Sequence, residues 1–178
     1  MTDRAVSVGY VGLGNLGVHL AASLLRAGHT VTVTDLHPEA AAPLLAAGAH
    51  WADTAKAVGE ASDVVFTCLP SPAAVNAVMC GPDGVLAGLR AGGTWIDNST
   101  NDRDETLRLA ALAEAVGVRT LEAPVTGGVH KAAAGEITVL VGGDEAVFDE
   151  HRAVLAAIGD PVLYMGPLGS AAVIKVIT

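Results

Sequence analysis

Short apolar runs alternate along the chain with segments in which apolar residues recur at helical spacing. Leu16, Leu20 and Leu24, for example, follow one another every four residues after the first apolar run. Alternating strands and helices predict an α/β fold with a mostly parallel sheet that is covered on both faces. The predicted strands are 6–11, 30–34, 63–69, 93–97, 118–123, 137–141 and 161–164.

The predicted helices begin at residues that favour a helix N-terminus. Pro38 suits the first turn of a helix that runs to about Ala47. Asp53 or Thr54 suits the cap of the next, short helix. Acidic residues at 102–105 and 144–145 begin two further helices, where they complement the helix dipole. A last helical pattern begins near residue 168 and is still apolar at residue 178.

Residues 12–17 read GLGNLG, a G-x-G-x-x-G sequence between the first predicted strand and its helix. Gly12 permits a tight turn, Gly14 lets a pyrophosphate approach the backbone, and Gly17 lets the helix pack on the strand. The helix N-terminus offers N–H groups and a partial positive charge to the phosphates. We therefore predict a dinucleotide site rather than an ordinary tight turn, with contacts from Gly12, Leu13, Gly14, Asn15, Leu16 and Gly17.

Asp35 follows the second apolar strand, about 20 residues beyond the glycine loop, where a ribose-binding carboxylate is expected. Such a carboxylate accepts hydrogen bonds from the ribose hydroxyls and repels a 2′-phosphate. Residues 36–38 include no arginine, so we expect NAD rather than NADP as the cofactor. His37 weakens this expectation, because a protonated imidazole would attract a phosphate.

Composition and charge disfavour several other classes of protein. Hydrophobic residues make up 51% of the chain and charged residues 16%, which predicts a sizeable core. The net charge of −9 disfavours nucleic acids and anionic membranes as partners, although a local site can still bind an anionic substrate. Cys68 and Cys80 have no metal-ligand or disulfide spacing, so we expect no metal. The absence of a signal peptide or a long apolar span predicts a cytoplasmic protein.

Three further loops follow predicted strands and differ in composition from simple connections. Ligands bind at the C-terminal ends of strands in open parallel sheets. The last of these loops joins Thr126 to two glycines, which suits a carboxylate held by N–H groups and a hydroxyl. A proline-initiated turn with glycines at positive φ explains that loop equally well. The loops read LPS at 69–71, DNST at 97–100 and APVTGG at 123–128.

In its order of motifs the chain resembles the β-hydroxyacid dehydrogenase family over nearly its whole length. Any one motif is weak evidence, whereas seven in the family's order are specific. The resemblance implies a Rossmann-type doubly wound sheet and an NAD-dependent oxidoreductase acting on a small 3-hydroxy acid similar to 3-hydroxyisobutyrate. The matching segments are GYVGLGNLG, the strand end at Asp35, CLP at 68–70, DNST, APVTGG, GEITVLVGG at 135–143 and MGPLGSAAVIK at 165–175.

The resemblance also implies roles for individual residues. Lys175 matches the family's catalytic lysine, which gives a proton to the carbonyl oxygen during reduction and accepts the hydroxyl proton during oxidation. Without the resemblance, Lys175 would be read as a solvated lysine on a helix. The residues implied to line the cofactor are Leu69, Pro70 and the neighbourhood of Val75, with Thr100 and Ser99 beside the nicotinamide. The residues implied to bind the substrate are Ser99, Thr126, Gly127 and Gly128.

The loop after Gly128 departs from the family pattern, because it carries His130 and Lys131 where small residues are usual. Either these are solvated side chains, which their types favour, or they contact a second acidic or phosphate group of the substrate. The longer substrate signature of the 6-phosphogluconate branch is not evident around Thr126. Imine reductases of the same superfamily usually lack the lysine, so Lys175 disfavours that activity.

The family continues beyond the lysine with an asparagine and an all-α domain that closes the site and supports dimerisation. We therefore expect a dinucleotide-binding domain over residues 1–165 and the start of an interdomain helix over residues 166–178. Homo-oligomerisation would then use the all-α domain. Two functions stay open: the cofactor-binding domain of an NAD-dependent dehydrogenase, and a module that binds the dinucleotide without turnover.

Overall fold

The structure of the protein is a computed structural model that describes residues 5–178. Residues 1–4 of the predicted domain lie outside the described residues. The strands are β1 (Ser7–Val11), β2 (Thr30–Thr34), β3 (His50–Trp51), β4 (Val64–Thr67), β5 (Thr94–Asp97), β6 (Arg119–Glu122), β7 (Val125–Thr126), β8 (Thr138–Gly143) and β9 (Val162–Gly166). The helices are α1 (Gly17–Arg26), α2 (Ala42–Ala46), α3 (Ala55–Glu60), α4 (Pro72–Cys80), α5 (Val85–Gly88), α6 (Arg103–Ala115), α7 (Gly128–Ala134), α8 (Glu145–Glu150), α9 (Arg152–Ile158) and α10 (Ser170–Ile177).

The strands form one sheet in the order β3-β2-β1-β4-β5-β6-β8-β7, with β9 paired to β8. The first six strands of this order are parallel; Val8, for example, lies opposite both Val31 and Val64. The chain moves outward from β1 in one direction and then in the other, which is the doubly wound order of a Rossmann fold. The predicted fold class is therefore confirmed. Ligands of such sheets bind at the carboxyl ends of the strands, near the point of reversal.

Beyond β6 the pairing becomes mixed. β8 is antiparallel to both β6 and β7 and parallel to β9. An antiparallel edge on an otherwise parallel sheet is common in doubly wound folds. The last helix, α10, packs against β8, β9 and α6, so this edge of the sheet places α10 beside the end of β6.

Two separate apolar layers cover the sheet. Because successive strand residues point to opposite faces, Tyr10 and Phe66 pack together on one face with ring centroids 5.7 Å apart. Val11, Val65 and Trp95 belong to the layer on the other face. All five side chains are almost completely buried. The two layers fix the sheet in place and leave the carboxyl ends of its strands free to form a site.

Several helix boundaries differ from the prediction for identifiable reasons. The predicted helix 38–47 is a 3₁₀ turn over Pro38–Ala41 followed by α2. Pro43 has no N–H to donate in the first turn of α2, which breaks the ladder there. Of the two predicted caps of α3, Thr54 is the one used; its hydroxyl accepts a hydrogen bond from the N–H of Ala57 at 3.0 Å. The helix that follows Asp144 is divided at His151 into α8 and α9.

Four elements were not predicted. β3 and β7 have two residues each and α5 has four, which is too short for a periodic pattern. α7 lies where the sequence predicts a loop after Gly128, because the glycines at its start obscure the helix-forming run VHKAAA. Within residues 5–178, every helix is too short or too polar to cross a lipid bilayer.

Candidate cofactor and substrate site

The glycine loop joins β1 to α1 in a tightly held turn. Gly12 has a φ of +99°, a conformation that favours glycine, and its N–H donates to the carbonyl of Thr34 at 3.2 Å. A Cβ at Gly12 would overlap the carbonyl oxygen of Cys68, and a Cβ at Gly17 would overlap the carbonyl oxygen of Gly12. The tight turn and the close packing of helix on strand are therefore both present.

Gly14 differs from these two glycines, because a Cβ there would meet no protein atom within 4 Å. Gly14 and Asn15 are both exposed, so packing within the protein does not account for this glycine. Leu16, the residue before α1, gives its helix no side-chain cap. A bare helix N-terminus facing open space fits a phosphate group. The loop thus fits the diphosphate of a dinucleotide, while the side chain of Leu13 is buried and its N–H donates to Asp35.

Asp35 is turned toward the glycine loop. Its Oδ2 accepts a hydrogen bond from the N–H of Leu13 at 2.7 Å, and its Oδ1 accepts one from the N–H of His37 at 2.8 Å. The imidazole Nδ1 of His37 lies 3.8 Å from Oε1 of Glu39. A positive charge on His37 would therefore be partly neutralised by Glu39. These contacts hold the Asp35 carboxylate beside the glycine loop, where the ribose of a dinucleotide binds in this fold.

The loop after β4 links the glycine loop to the loop after β5. The carbonyl oxygen of Cys68 lies against Gly12, and the N–H of Leu69 donates to Oγ of Ser99 at 2.9 Å. Pro70 is exposed at this edge. Val75, in α4, has a completely buried side chain, and the predicted cofactor contact in its neighbourhood stays a prediction.

Asp97, at the end of β5, is buried and holds the loop that follows it. Its Oδ1 accepts hydrogen bonds from the hydroxyl of Thr67 at 2.9 Å and from the N–H of Ser99 at 3.0 Å. Its Oδ2 accepts a longer bond from the amide of Asn101 at 3.4 Å. Burial raises the pKa of Asp97, and the bonds from Ser99, Thr67 and Asn101 lower it in part. The predicted substrate contact Ser99 is thus already engaged within the protein, through its hydroxyl and its N–H.

Asn98 connects this loop to β1 and to the loop after β6. Asn98 accepts a hydrogen bond from the hydroxyl of Tyr10 at 2.9 Å and donates to the carbonyl of Ala123 at 2.8 Å. Burial and the charge of Asp97 raise the pKa of the Cys68 thiol to about 11. The thiol is therefore protonated at neutral pH and is a poor nucleophile. Thr100, in contrast, is exposed, as a predicted cofactor contact must be.

Glu122, at the end of β6, is 3% exposed and binds the first turn of α10. Its Oε1 accepts a hydrogen bond from the N–H of Ala171 at 2.7 Å, and its Oε2 accepts one from the N–H of Ala172 at 3.3 Å. Burial raises the pKa of Glu122, whereas the bonds from Ala171, Gly169 and Ala172 lower it in part. Because Gly169 is the residue before α10 and has no side chain, Glu122 caps the helix from a distance.

A narrow cavity lies between the ends of β5 and β6 and helix α10. It brings together the predicted catalytic residue Lys175 and the predicted substrate contact Ser99 with the two buried acids Asp97 and Glu122. Lys175 is half-buried there rather than fully solvated. The lining residues are Asp97, Ser99, Asn101, Thr106, Glu122, Pro124, Ala172 and Lys175.

Among the described residues, the other predicted substrate contacts do not line this cavity; they follow Pro124, which does line it, along the chain. Thr126 is in β7, Gly127 has a φ of +135°, and Gly128 begins α7 with a φ of +84°. His130 and Lys131, expected in a loop, are exposed residues of α7. The aliphatic part of Lys131 packs against Gly127.

Sequence reasoning did not single out Glu122, Asn101 or Thr106. A usable signal was present, because the apolar segments TWID and RTLE both end in an acid. Asp97 and Glu122 lie opposite each other in the parallel register of β5 and β6. Two acids at the carboxyl ends of neighbouring buried strands meet at the edge where ligands bind.

The fold, the glycine loop and Asp35 together define a dinucleotide-binding domain of the Rossmann class. Residues 7–166 match the family model described as the NAD binding domain of 6-phosphogluconate dehydrogenase. The chain belongs to this family and, by its relatives, to the N-terminal NAD-binding domains of β-hydroxyacid dehydrogenases. The resemblance inferred from the sequence motifs is therefore confirmed.

The chain is similar to enzymes that oxidise hydroxy acids. It is 39% identical over 176 residues to 3-hydroxyisobutyrate dehydrogenase of Pseudomonas aeruginosa, covering 99% of this chain and 58% of that protein. It is 37% identical over 175 residues to 2-(hydroxymethyl)glutarate dehydrogenase of Eubacterium barkeri, covering 98% of this chain and 58% of that protein. A structure of Mycobacterium tuberculosis 3-hydroxyisobutyrate dehydrogenase with L-serine has a TM-score of 0.92 at 35% identity, covering 98% of this chain and 59% of that one. The chain thus spans under two thirds of the length of these relatives.

Proposed function

We propose that the chain is the cofactor-binding part of an NAD-dependent dehydrogenase that acts on a small 3-hydroxy acid similar to 3-hydroxyisobutyrate. The observation that carries the proposal is the position of Lys175 and Ser99 in one cavity at the carboxyl edge of the sheet. The bond between Ser99 and Leu69 connects that cavity to the loop that touches Gly12. An acid/base group is thereby held beside a dinucleotide loop.

NAD is the proposed cofactor. Its diphosphate binds the N–H groups of the glycine loop at the bare N-terminus of α1, and its adenosine ribose binds Asp35. The ionised Asp35, already fixed by Leu13 and His37, would face the 2′-phosphate of NADP with an unfavourable charge. The nicotinamide half then lies along Leu69, Pro70 and Thr100. NAD supplies the hydride acceptor of the reaction.

The substrate carboxylate is proposed to bind the hydroxyl of Thr126 and the backbone of Gly127 and Gly128. Both glycines are exposed and have positive φ, so their N–H groups are not covered by side chains of their own. Ser99, whose hydroxyl is already bonded to Leu69, contributes to the wall of the site. A carboxylate held there would present the neighbouring hydroxyl group toward the cavity that contains Lys175.

Lys175 is proposed to exchange the proton of the substrate hydroxyl. The neutral amine accepts this proton during oxidation, and the ammonium returns a proton to the carbonyl oxygen during reduction. Asp97 and Glu122 line the same cavity and can balance the ammonium charge when they are ionised. Lys175 is therefore the proposed general acid and base, and the carboxyl groups of Asp97 and Glu122 are its neighbours in the cavity.

The proposal extends to an all-α domain and a homo-oligomer, as the family resemblance implies. Its support within the chain is the outer face of α10, where Val173, Val176 and Ile177 are exposed. An exposed apolar stripe on a helix beside the site suits coverage by another part of the protein. Sedimentation of the full-length protein, as its gene encodes it, measures the oligomeric state directly.

The deciding experiment follows NAD reduction at 340 nm with a panel of 3-hydroxy acids that includes 3-hydroxyisobutyrate and serine. The full-length protein should give saturable turnover with NAD and slower turnover with NADP at equal concentration. Binding of NAD without turnover of any acid would instead support a binding module. Tighter binding of NADP than of NAD would overturn the proposed cofactor.

A further inference from the structure

Glu122 connects two elements that are distant in the sequence. It lies in β6, and the N–H groups that it binds belong to Ala171 and Ala172, 49 and 50 residues further along the chain. Gly142, on the neighbouring strand β8, has no room for a Cβ because the Glu122 carboxylate occupies that space. The carboxylate is thus fitted between β8 and α10 and is not a surface acid that happens to lie near a helix.

Helix α10, whose first turn is bound by Glu122, also carries Lys175. Residues four apart lie on the same face of a helix, so Lys175 stands one turn above Ala171. Ala172, Lys175 and Glu122 all line the same cavity. Any displacement of the first turn of α10 is therefore transmitted along the helix to the Lys175 side chain.

Burying an ionised carboxylate at this position costs folding free energy. Glu122 is almost completely buried, and this burial raises the pKa of its carboxyl group. An acid with a raised pKa in the folded state loses folding free energy when it ionises. This cost is set against the hydrogen bonds by which Glu122 holds the N–H groups of Ala171 and Ala172, and buried groups with perturbed titration are concentrated at functional sites.

We propose that Glu122 is a positioning residue for Lys175: its carboxylate fixes the first turn of α10 and thereby sets where the lysine side chain enters the cavity. The inference deepens the proposed function and rests on it, since it assigns the position of the proposed acid/base group. The charged groups that line the cavity with Glu122 are Asp97 on β5 and Lys175 on α10, and Arg103 on α6 packs against Gly169, next to the bound turn.

The first test measures position without activity. The chain contains three lysines, Lys56, Lys131 and Lys175, so ¹³C-dimethylation gives a separate NMR signal for each. Glu122→Gln keeps the shape of the side chain but removes its charge and one acceptor. We expect the Lys175 signal to move and the amides of Ala171 and Ala172 to exchange at least about tenfold faster, with Lys56 and Lys131 unchanged. Glu114→Gln, at an exposed position of α6, is the matched control and should change none of these signals.

The second test measures the kinetic consequence in the full-length protein. Glu122→Gln should lower kcat about tenfold while leaving KM for NAD unchanged, because the cofactor loop is not touched. Gly142→Ala provides an independent variant, since it displaces the carboxylate without removing it, and should shift the Lys175 signal in the same way. Melting by circular dichroism establishes that each variant is folded before it is assayed.

The outcomes separate this inference from the proposed function. An unchanged Lys175 signal in both folded variants overturns the positioning role, whether or not the protein is active. A displaced signal with an unchanged kcat also overturns it, because the position of the lysine would then have no consequence. A fully active Lys175→Ala variant refutes the proposed acid/base role itself, which the NMR measurement does not address.

Discussion

The backbone N–H of Leu13 donates a 2.7 Å hydrogen bond to Oδ2 of Asp35. This bond ties the glycine loop to the end of β2 and fixes the carboxylate beside the bare N-terminus of α1. A hydrogen bond to an ionised acceptor is short and strong. The two halves of the proposed NAD site, which contact the diphosphate and the ribose, are therefore held together before any ligand binds.

Asp35 should control the choice between NAD and NADP. Asp35→Asn removes the negative charge and should weaken NAD binding about tenfold, or ~1.4 kcal/mol, while NADP binding is weakened less or improves. Calorimetric titration of both cofactors measures the ratio of the two affinities. Glu39→Gln is the matched control, because Glu39 is an exposed acid near His37 that binds no backbone of the glycine loop. An unchanged ratio in Asp35→Asn would contradict the assigned role.

Gly14 and Gly17 should respond differently to alanine. Gly14→Ala meets no protein atom, so the free energy of unfolding should change by less than about 0.5 kcal/mol, whereas the Kd for NAD should rise at least about tenfold. Gly17→Ala places a methyl group against the carbonyl of Gly12 and should cost roughly 1–3 kcal/mol of stability. Urea unfolding and NAD titration on both variants test this. Loss of stability without loss of affinity in Gly14→Ala would assign that glycine to folding alone.

Lys175 should affect turnover and not cofactor binding. Lys175→Ala should lower kcat by roughly 10²–10⁴ in the full-length protein, which is the usual contribution of a general acid or base. The Kd for NAD should stay within about twofold, because the lysine lies beyond the loops that hold the cofactor. Lys56→Ala, in α3 where the lysine pairs with Glu60 at the surface, serves as the control. The lysine's role is refuted by a variant that turns over at the normal rate.

Glu122 should make the folded protein less stable as the pH rises. Burial raises the pKa of Glu122 above its ordinary value of 4.5, so the folded state binds this proton more tightly than the unfolded state. The contribution to stability is complete below the ordinary value and is lost as the pH rises through the raised value. Burial also raises the pKa of Asp97, so Asp97 likewise makes the protein less stable as the pH rises, and it is unchanged when Glu122 is replaced. Glu122→Gln should therefore flatten only part of the decline in the free energy of unfolding, measured with urea at several pH values; parallel curves would contradict the raised pKa.

The sequence was sufficient for the central strand, the glycine loop, α1 and Asp35, because each depends on local chemistry. A G-x-G-x-x-G turn needs a strand before it and a helix after it, and both are recognisable within thirty residues. The mostly parallel sheet followed from the alternation of strands and helices, and its doubly wound form from the family resemblance. Val75 was assigned to the cofactor by resemblance, but its burial depends on how α4 packs on the sheet, which no local pattern reveals.

Glu122 could not be assigned from the sequence because its partners are long-range. Its bonds to Ala171 and Ala172 exist only when β6 and α10 have folded together. The bond from the N–H of Leu69 to the hydroxyl of Ser99 is long-range as well, and no local pattern reveals it. Helix α7 was not predicted for a local reason, since Gly127 and Gly128 favour a loop whereas the alanines after them favour a helix.

The central claim is that the loop between β1 and α1, together with Asp35, binds NAD. Isothermal titration of NAD into the purified protein tests it most directly, with NADP and the Asp35→Asn variant measured alongside. The account predicts saturable binding of one NAD per chain, tighter than that of NADP and weakened in the variant. No saturable binding of either dinucleotide, or NAD binding that is unaffected by Asp35→Asn, would contradict it.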